Sequence, residues 1–275
     1  LGGMIITELS KLVPQADIRL GVHRIEKATA LQSAGYDVVA LDYAAVDSMT
    51  AAMTGVDVLI YVPSLTYWVQ QRITEFENTL EAMRRANVST IVAMSFIADQ
   101  YNNPFQMASY YAYLPARLAG SGLNYAVVKN ALYADPLVPY LPELIARHNV
   151  IYPIGDQAMS FISREDSAEA MANIAVKPYL RDYGQNYLLT MKQNYNMVEL
   201  SSIMSQVTGE QIGYAPVSLQ EFADIYRSEG DGDELASMYH AAALGLMNEV
   251  TNDFQHITGH APQRMEEYLT QHYQK

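Results

Sequence analysis

Strand-like and helical segments alternate along the first 130 residues of this chain, and this alternation limits the fold more than any other feature of the sequence. Short apolar runs bounded by polar turns are typical of parallel strands that are buried on both faces of a sheet. Because parallel strands need crossover helices, the pattern predicts a doubly wound α/β sheet. The strand-like runs lie at residues 17–22, 36–42, 57–64, 89–96 and 124–131. The helical segments lie at residues 2–13, 25–34, 46–54, 69–86 and 107–121.

The pattern changes after residue 150, where short extended pieces are mixed with helices. We therefore predict a sheet domain over residues 1–150 and a smaller mixed α/β lobe over residues 151–275, interleaved with the edge of the sheet. The apolar stretch 236–247 fits either the core of this lobe or a homodimer surface. The extended pieces are predicted at residues 151–163 and 186–191. The helices are predicted at residues 165–176, 197–207, 218–228, 233–249 and 262–272.

Composition excludes several classes of function. A formal net charge of −13, with 17 lysines and arginines, disfavours direct binding to nucleic acid or to an anionic membrane. There is no cysteine, so disulfides and thiol-based metal or redox sites are excluded, and a reducing cytoplasm is the expected location. The six histidines show no metal-binding spacing, so no metal site is predicted. No apolar run approaches the roughly 20 residues of a membrane span.

The chain begins with Gly2 and Gly3 directly before a helical pattern. Glycine at this point lets the backbone approach a pyrophosphate, whose charge is stabilised by the amino end of a helix. The same residues also suit an ordinary loop that starts a helix. Taken alone, the pair predicts a phosphate-binding turn only weakly.

Basic side chains follow the strand-like run 17–22. His23, Arg24 and Lys27 lie where the adenosine ribose would leave such a sheet, and a guanidinium there can pair with a 2′-phosphate. A carboxylate at this point would instead bind a ribose diol. NADP(H) is therefore the preferred cofactor, with NAD(H) as the alternative. The segment can also be read as a solvated helix start.

The next two strands end in residues that suit the rest of a dinucleotide. Asp42 and Tyr43 lie at the end of the run 36–42 and are expected to flank the adenine. Val62, Pro63 and Ser64 lie at the end of the run 57–64 and are expected near the ribose and phosphates. Ligands of doubly wound sheets bind beyond the carboxyl ends of the strands, as this placement requires.

The segments "LGGMIITEL", "HRIEKA", "VVALDYAAVDSMTAAMTGVDVLIYVPS" and "SGLNYAVVKNALYADPL" resemble the NmrA-like atypical short-chain dehydrogenases, most of all their bacterial NAD(P)H:quinone reductase branch. The resemblance implies a Rossmann-type fold in which Gly2 is the third glycine of a Gly-x-x-Gly-x-x-Gly turn. A first strand and its glycines would then precede Leu1, and without them the sheet lacks its central member. Relatives usually place Arg directly after the second strand, whereas this chain has His23 there, so Arg24 needs a bend in the turn to reach the phosphate.

The resemblance also bears on catalysis. Short-chain dehydrogenases use a Tyr-x-x-x-Lys pair, but alignment puts Met107 at the Tyr position and Tyr111 at the Lys position. Tyr113 and Arg117 repeat the spacing two residues later, although this shift rotates a pair by about 200° around the helix. Loss of the pair favours a quinone, which accepts hydride without a dedicated proton donor. Tyr111 is retained only as a substrate-positioning candidate.

Other site residues come from the same resemblance. Ser95 ends the strand that carries the family serine and can bond the carboxamide or the acceptor oxygen. Lys129, Asn130 and Tyr133 fall where relatives contact the nicotinamide end. The expected function is reduction of a small quinone-like acceptor by NAD(P)H, and the alternative is a non-catalytic cofactor sensor that binds a partner protein. Aromatic residues near the expected mouth suit a planar substrate; these are Tyr67, Trp68, Tyr101, Phe105, Tyr110, Tyr111 and Tyr113.

Overall fold

The computed structural model describes residues 1–230 and 232–274. Its strands are β1 (Arg19–Val22), β2 (Asp37–Ala40), β3 (Val58–Tyr61), β4 (Thr90–Phe96), β5 (Asn124–Asn130), β6 (Leu132–Tyr133), β7 (Asn149–Val150), β8 (Ala158–Met159), β9 (Phe161–Ile162), β10 (Gln185–Leu189), β11 (Tyr195–Asn196) and β12 (Gly213–Tyr214). Its α-helices are α1 (Gly2–Leu9), α2 (Thr29–Ser33), α3 (Val46–Met53), α4 (Val69–Ala86), α5 (Ala108–Ala119), α6 (Leu137–Arg147), α7 (Arg164–Val176), α8 (Met197–Thr208), α9 (Leu219–Tyr226), α10 (Gly232–Ala243), α11 (Asp253–Thr258) and α12 (Met265–His272).

The chain divides into two compact units made of interleaved segments. The predicted boundary at residue 150 between a sheet domain and a lobe stays a prediction. The first unit contains Leu1–Ser95, Tyr113–Val128 and Ala168–Tyr187. The second unit contains Phe96–Ala112, Lys129–Ser167 and Leu188–Lys275.

Parallel strands alternate with helices in the first unit, as the sequence predicts. β1 pairs with β2 in a two-stranded sheet, and β3 pairs with β4 in a sheet of order β3–β4–β5–β10. Ile91 and Val92 in β4 and Val127 in β5 are fully buried, as strands covered on both faces require. Within the described part of the chain, β1 pairs only with β2 and β3 only with β4, so the two sheets are separate hydrogen-bonded ladders.

Helix α4 shows why the sequence folds in this way locally. Phe76, Leu80 and Met83 recur at helical spacing and are buried. The same face buries Thr79, whose Oγ1 donates to the Sδ of Met49 in α3 at 3.7 Å. Asn87 ends the helix in the left-handed conformation, at φ 59°.

Small paired strands and helices form the second unit. β6 pairs with β9 and β7 with β12 in parallel, and β8 pairs with β11 antiparallel. In the stretch 236–247, Met238, Tyr239 and Met247 are buried within this chain. This burial favours the core interpretation of the stretch over a homodimer surface.

Two differences from the predicted elements have local causes. The predicted helix over 233–249 ends at Ala243, because Gly245 adopts a positive φ of 74° in the turn that follows. Helix α6 has no counterpart among the predicted helices, because it contains Pro139 in its first turn and Pro142 in its interior. Proline is tolerated in a first turn, where the missing N–H has no partner in any case, but an interior proline removes a helical hydrogen bond and disfavours a helix in the sequence pattern.

Candidate functional site

In the first unit, helix α1 begins at Gly2 without a side-chain cap, since Leu1 cannot accept a hydrogen bond through its side chain. A Cβ built on Gly2 or Gly3 would meet no atom within 4 Å, so the described residues leave the backbone there open to approach. Uncapped amides at the amino end of a helix are ready donors for an anionic group. Both glycines therefore suit the predicted phosphate-binding role.

The predicted cationic group lies just beyond β1. His23, Arg24 and Lys27 are all exposed. Arg24 is extended, at φ −125° and ψ 98°, and directly precedes a 3-10 turn over Ile25–Lys27, so the chain bends at this point. Within residues 1–230 and 232–274, the side chains of His23, Arg24 and Lys27 make no hydrogen bond or ion pair. They remain available to an external anion.

Asp42 and Tyr43 lie in the turn after β2. The carboxylate of Asp42 accepts a hydrogen bond from the backbone N–H of Ala44 at 2.9 Å, which shapes the turn. The hydroxyl of Tyr43 donates to the carbonyl of Val62 at 2.8 Å, and its ring meets Tyr61 edge-on at 5.5 Å. Burial, with a contribution from the charge of Glu75, raises the pKa of Tyr43 to about 12. The structure thus brings the predicted residues Tyr43 and Val62 together.

Ser64 hydrogen-bonds to Glu75, a residue that was not predicted from the sequence. Its hydroxyl donates to the carboxylate of Glu75 at 2.5 Å, and the amide of Gln71 donates to the other oxygen of Glu75 at 2.8 Å. Glu75 is buried in α4. The sequence feature that could have identified Glu75 is its position as a carboxylate on the apolar face of an amphipathic helix. Such a group is rarely buried without hydrogen-bond donors. Pro63, beside Ser64, is also buried.

Two predicted polar residues are fully buried at strand ends without satisfied side chains. In the first unit, Ser95 Oγ in β4 has no hydrogen-bond partner among the described residues. In the second unit, neither polar side-chain atom of Asn130 in β5 has one. Buried polar groups are nearly always hydrogen-bonded in native proteins. Each orphaned group therefore fits a ligand group that brings its own donor or acceptor.

Lys129, the neighbour of Asn130 in β5, is already engaged. Its Nζ lies 2.5 Å from a carboxylate oxygen of Asp99, and both side chains are largely buried. Alternation along a strand places Lys129 and Asn130 on opposite faces. The side chains of Lys129 and Asn130 therefore point to opposite faces of β5. The structure also identifies Asp99 as a partner of Lys129 that was not predicted from the sequence.

Tyr111 and Tyr133 both lie in the second unit. The ring of Tyr111 packs on Phe96 at 5.5 Å and stacks on Phe105 at 6.2 Å. The guanidinium of Arg164 lies 5.3 Å from the centre of the Tyr133 ring, and burial raises the pKa of Tyr133 well above its usual value. Arg164 also lines a cavity of about 540 Å³ in this unit.

Helix α5 and the residue before it contain the positions that correspond to the Tyr-x-x-x-Lys pair and the alternative pair Tyr113 and Arg117. Met107, directly before the helix, is buried. In the first unit, the Tyr113 hydroxyl donates to Glu77 at 2.6 Å, and Arg117 donates to both oxygens of Glu77 at 2.8 and 3.1 Å. The alternative pair Tyr113 and Arg117 is thus bonded to α4, which supports a structural role for it.

Two further observations concern the described part of the chain. Among its residues, no group of three or more histidine or acidic side chains could hold a metal ion. None of its helices combines the length and the hydropathy needed to cross a bilayer.

The chain is similar to several known reductases. Quinone oxidoreductase 2 of Escherichia coli (strain K12) is 28% identical over 246 residues, which cover 89% of this chain and 84% of that protein. A crystal structure of NADPH-dependent quinone oxidoreductase from Escherichia coli, complexed with NADPH, matches with a TM-score of 0.90 at 26% identity, covering 98% of this chain and 95% of that one. Triphenylmethane reductase from Citrobacter sp., complexed with NADP(H), matches with a TM-score of 0.90 at 25% identity and the same coverage.

A structure with higher sequence identity carries a different description. It is called a nucleoside-diphosphate-sugar epimerase from Staphylococcus aureus, and it is 38% identical with a TM-score of 0.92, covering 98% of this chain and 96% of that one. The matching structures confirm the predicted Rossmann-like α/β fold. The two Escherichia coli matches confirm the predicted resemblance to the quinone reductase group. The family model described as NAD(P)H-binding matches residues 1–178, which is more than half of the chain. The chain therefore belongs to the NAD(P)H-binding family.

Proposed function

We propose that this protein is an NADPH-dependent oxidoreductase that reduces quinone-like acceptors. The observation that carries the proposal is the state of the catalytic pair: Met107 is buried where a short-chain dehydrogenase has its tyrosine, and Tyr111 stands at the lysine position. An ordinary ketone needs a proton donor on its developing alkoxide, whereas a quinone is electrophilic enough to be reduced when it is merely held in place. The similarity to a quinone oxidoreductase of Escherichia coli supports the same conclusion.

The first unit binds the coenzyme. The helix start at Gly2 and Gly3 receives the diphosphate, and Arg24 pairs with the 2′-phosphate together with His23 and Lys27. The absence of internal partners for these three side chains among the described residues supports this assignment, because no ion pair has to be broken first. When bound, the reduced nicotinamide supplies the hydride.

Ser95 of the first unit and Asn130 of the second unit each offer polar groups to a ligand. Each presents a buried, unsatisfied polar side chain at the carboxyl end of its strand. Ser95 donates to the carboxamide or to the acceptor oxygen, and Asn130 offers both a donor and an acceptor. The phenolate formed when a quinone accepts a hydride is a weak base compared with an alkoxide, so solvent can supply its proton.

The test mixes the purified chain with NADPH or NADH and a panel of simple quinones, and follows absorbance at the nicotinamide band. We expect NADPH oxidation that depends on both protein and quinone and is slower with NADH. Binding of NADPH without oxidation by any acceptor would instead favour a non-catalytic cofactor sensor that binds a partner protein.

The same experiment also tests nucleotide sugars as substrates, because the Staphylococcus aureus relative is described as a nucleoside-diphosphate-sugar epimerase. Epimerisation through a ketone requires a base that removes the hydroxyl proton, and the positions of Met107 and Tyr111 provide no lysine-activated tyrosine. We therefore expect no interconversion of these sugars. Cytoplasmic location and a homodimer remain predictions from the sequence.

A further inference from the structure

The loop between β3 and α4, residues 62–68, exposes three large apolar side chains within the four positions 65–68. Leu65 is 91% exposed, Tyr67 50% and Trp68 76%. In the described part of the chain, no aromatic ring packs against Trp68. A cluster of this kind on a protein surface commonly marks a binding site.

The backbone that carries these side chains is held by hydrogen bonds. At its start, Ser64 donates to the buried carboxylate of Glu75. In its middle, the carbonyl of Thr66 accepts from the guanidinium of Arg72 at 2.5 Å. At its end, the backbone N–H of Trp68 donates to Thr66 Oγ1 at 3.2 Å. The exposed side chains therefore extend from a fixed base, which lowers the entropy lost when they bind a ligand.

The loop is continuous with the proposed coenzyme site. It follows the carboxyl end of β3, the edge at which ligands of parallel α/β sheets bind. Trp68 is four residues from Ser64, so the two Cα atoms are at most about 14 Å apart. An indole is the largest planar apolar surface that a side chain offers, and it stacks on flat aromatic rings.

We propose that Trp68, with Leu65 and Tyr67 beside it, is the acceptor-selecting surface of this protein and stacks on the aromatic ring system of the acceptor. The inference rests on the proposed function and specifies its substrate class. Acceptors with fused rings, which offer more surface to an indole, are preferred over single-ring quinones. The surface acts on acceptor binding and leaves coenzyme binding unchanged.

The first test uses fluorescence, because Trp68 is the single tryptophan of the chain. Phenanthrenequinone is titrated into the protein without coenzyme, with N-acetyltryptophanamide as the collisional control. We expect saturable quenching of the Trp68 emission. Linear quenching that matches the free amide would overturn the proposal. A shift of the emission with protein concentration alone would also overturn it, since a second copy of the chain would then cover the surface.

The second test compares kinetics. Trp68→Ala is expected to raise KM for phenanthrenequinone about two- to tenfold, the range of one stacking contact. We expect KM for p-benzoquinone and the Kd for NADPH to stay within about twofold, and Trp68→Phe to restore most of the loss. Tyr183→Ala removes another exposed ring of the first unit and should change neither KM. Equal effects of Trp68→Ala on both quinones would overturn the proposal. A parent protein that fails to oxidise NADPH with any of the quinones would instead contradict the proposed function, while the fluorescence titration still reports on ring binding.

Discussion

Replacement of Ser95 by alanine should stabilise the protein without coenzyme and weaken coenzyme binding. Ser95 is fully buried, and its Oγ has no hydrogen-bond partner among the described residues. An unsatisfied buried hydroxyl costs about 1–3 kcal/mol, whereas the void left by one oxygen costs only a few tenths of a kcal/mol. We therefore expect the free energy of unfolding to rise by about 1 kcal/mol or more, which corresponds to a Tm increase of about 2–4 °C.

Thermal unfolding with and without NADPH measures both effects. The matched control is Ser160→Ala, because Ser160 is equally buried but its hydroxyl donates to the carbonyl of Glu249 at 2.5 Å. This control should lose about 0.5–1.5 kcal/mol of stability and keep its NADPH affinity. Ser95→Ala should instead show a smaller NADPH-induced rise in Tm than the parent. If Ser95→Ala destabilises the coenzyme-free protein as much as Ser160→Ala does, the reasoning from the unsatisfied hydroxyl is refuted.

Three further substitutions test other parts of the molecule. Arg24→Ala should raise the Kd for NADPH about 10- to 100-fold, because it removes charge-assisted hydrogen bonds, and should leave the Kd for NADH within about twofold. Calorimetry measures both constants, and equal losses of affinity would contradict the 2′-phosphate contact. Tyr113→Phe removes the hydrogen bond to Glu77 and should lower stability by about 1 kcal/mol in a denaturant titration while kcat changes less than about twofold; a large fall in kcat would make Tyr113 a proton donor. Tyr43 should destabilise the fold as the pH rises from its unfolded pKa near 10 towards its folded pKa of about 12, because folding favours the neutral phenol. Tyr43→Phe should therefore flatten the decline of unfolding free energy over this interval, and an unchanged slope would count against that shift.

The strands and the longest helix could be predicted from the sequence because their burial follows simple periodicities. The predicted segment 69–86 coincides with α4, and the predicted run 89–96 matches β4 within one residue. Both carry continuous or helical apolar patterns that no competing structure satisfies as well. Helix α6 escaped prediction because its prolines conceal a sound apolar face, in which Leu137, Leu141 and Leu144 are buried.

Partnerships between side chains could not be predicted, because they join residues that are distant in sequence. Tyr113 and Arg117 have the spacing of an acid–base pair, yet Glu77, 36 and 40 residues away, accepts hydrogen bonds from both. Lys129 was expected at the nicotinamide end, and nothing in its neighbourhood indicated that Asp99 would pair with it. The sequence predicts which side chains reach a strand end, but the tertiary structure decides which of them remain available.

The exposed cations after β1 also have a consequence for the speed of encounter. The protein carries a formal net charge of −13, so an anionic coenzyme approaches against a long-range repulsion. Arg24 and Lys27 attract an anion only within about a Debye length, roughly 10 Å in 0.1 M salt. Moderate salt screens the distant repulsion first, so the association rate constant of NADPH should rise with ionic strength before close-range attraction is weakened. Added salt should therefore speed the association of an anionic coenzyme with this protein, whereas it slows the association of an anionic ligand with a cationic enzyme.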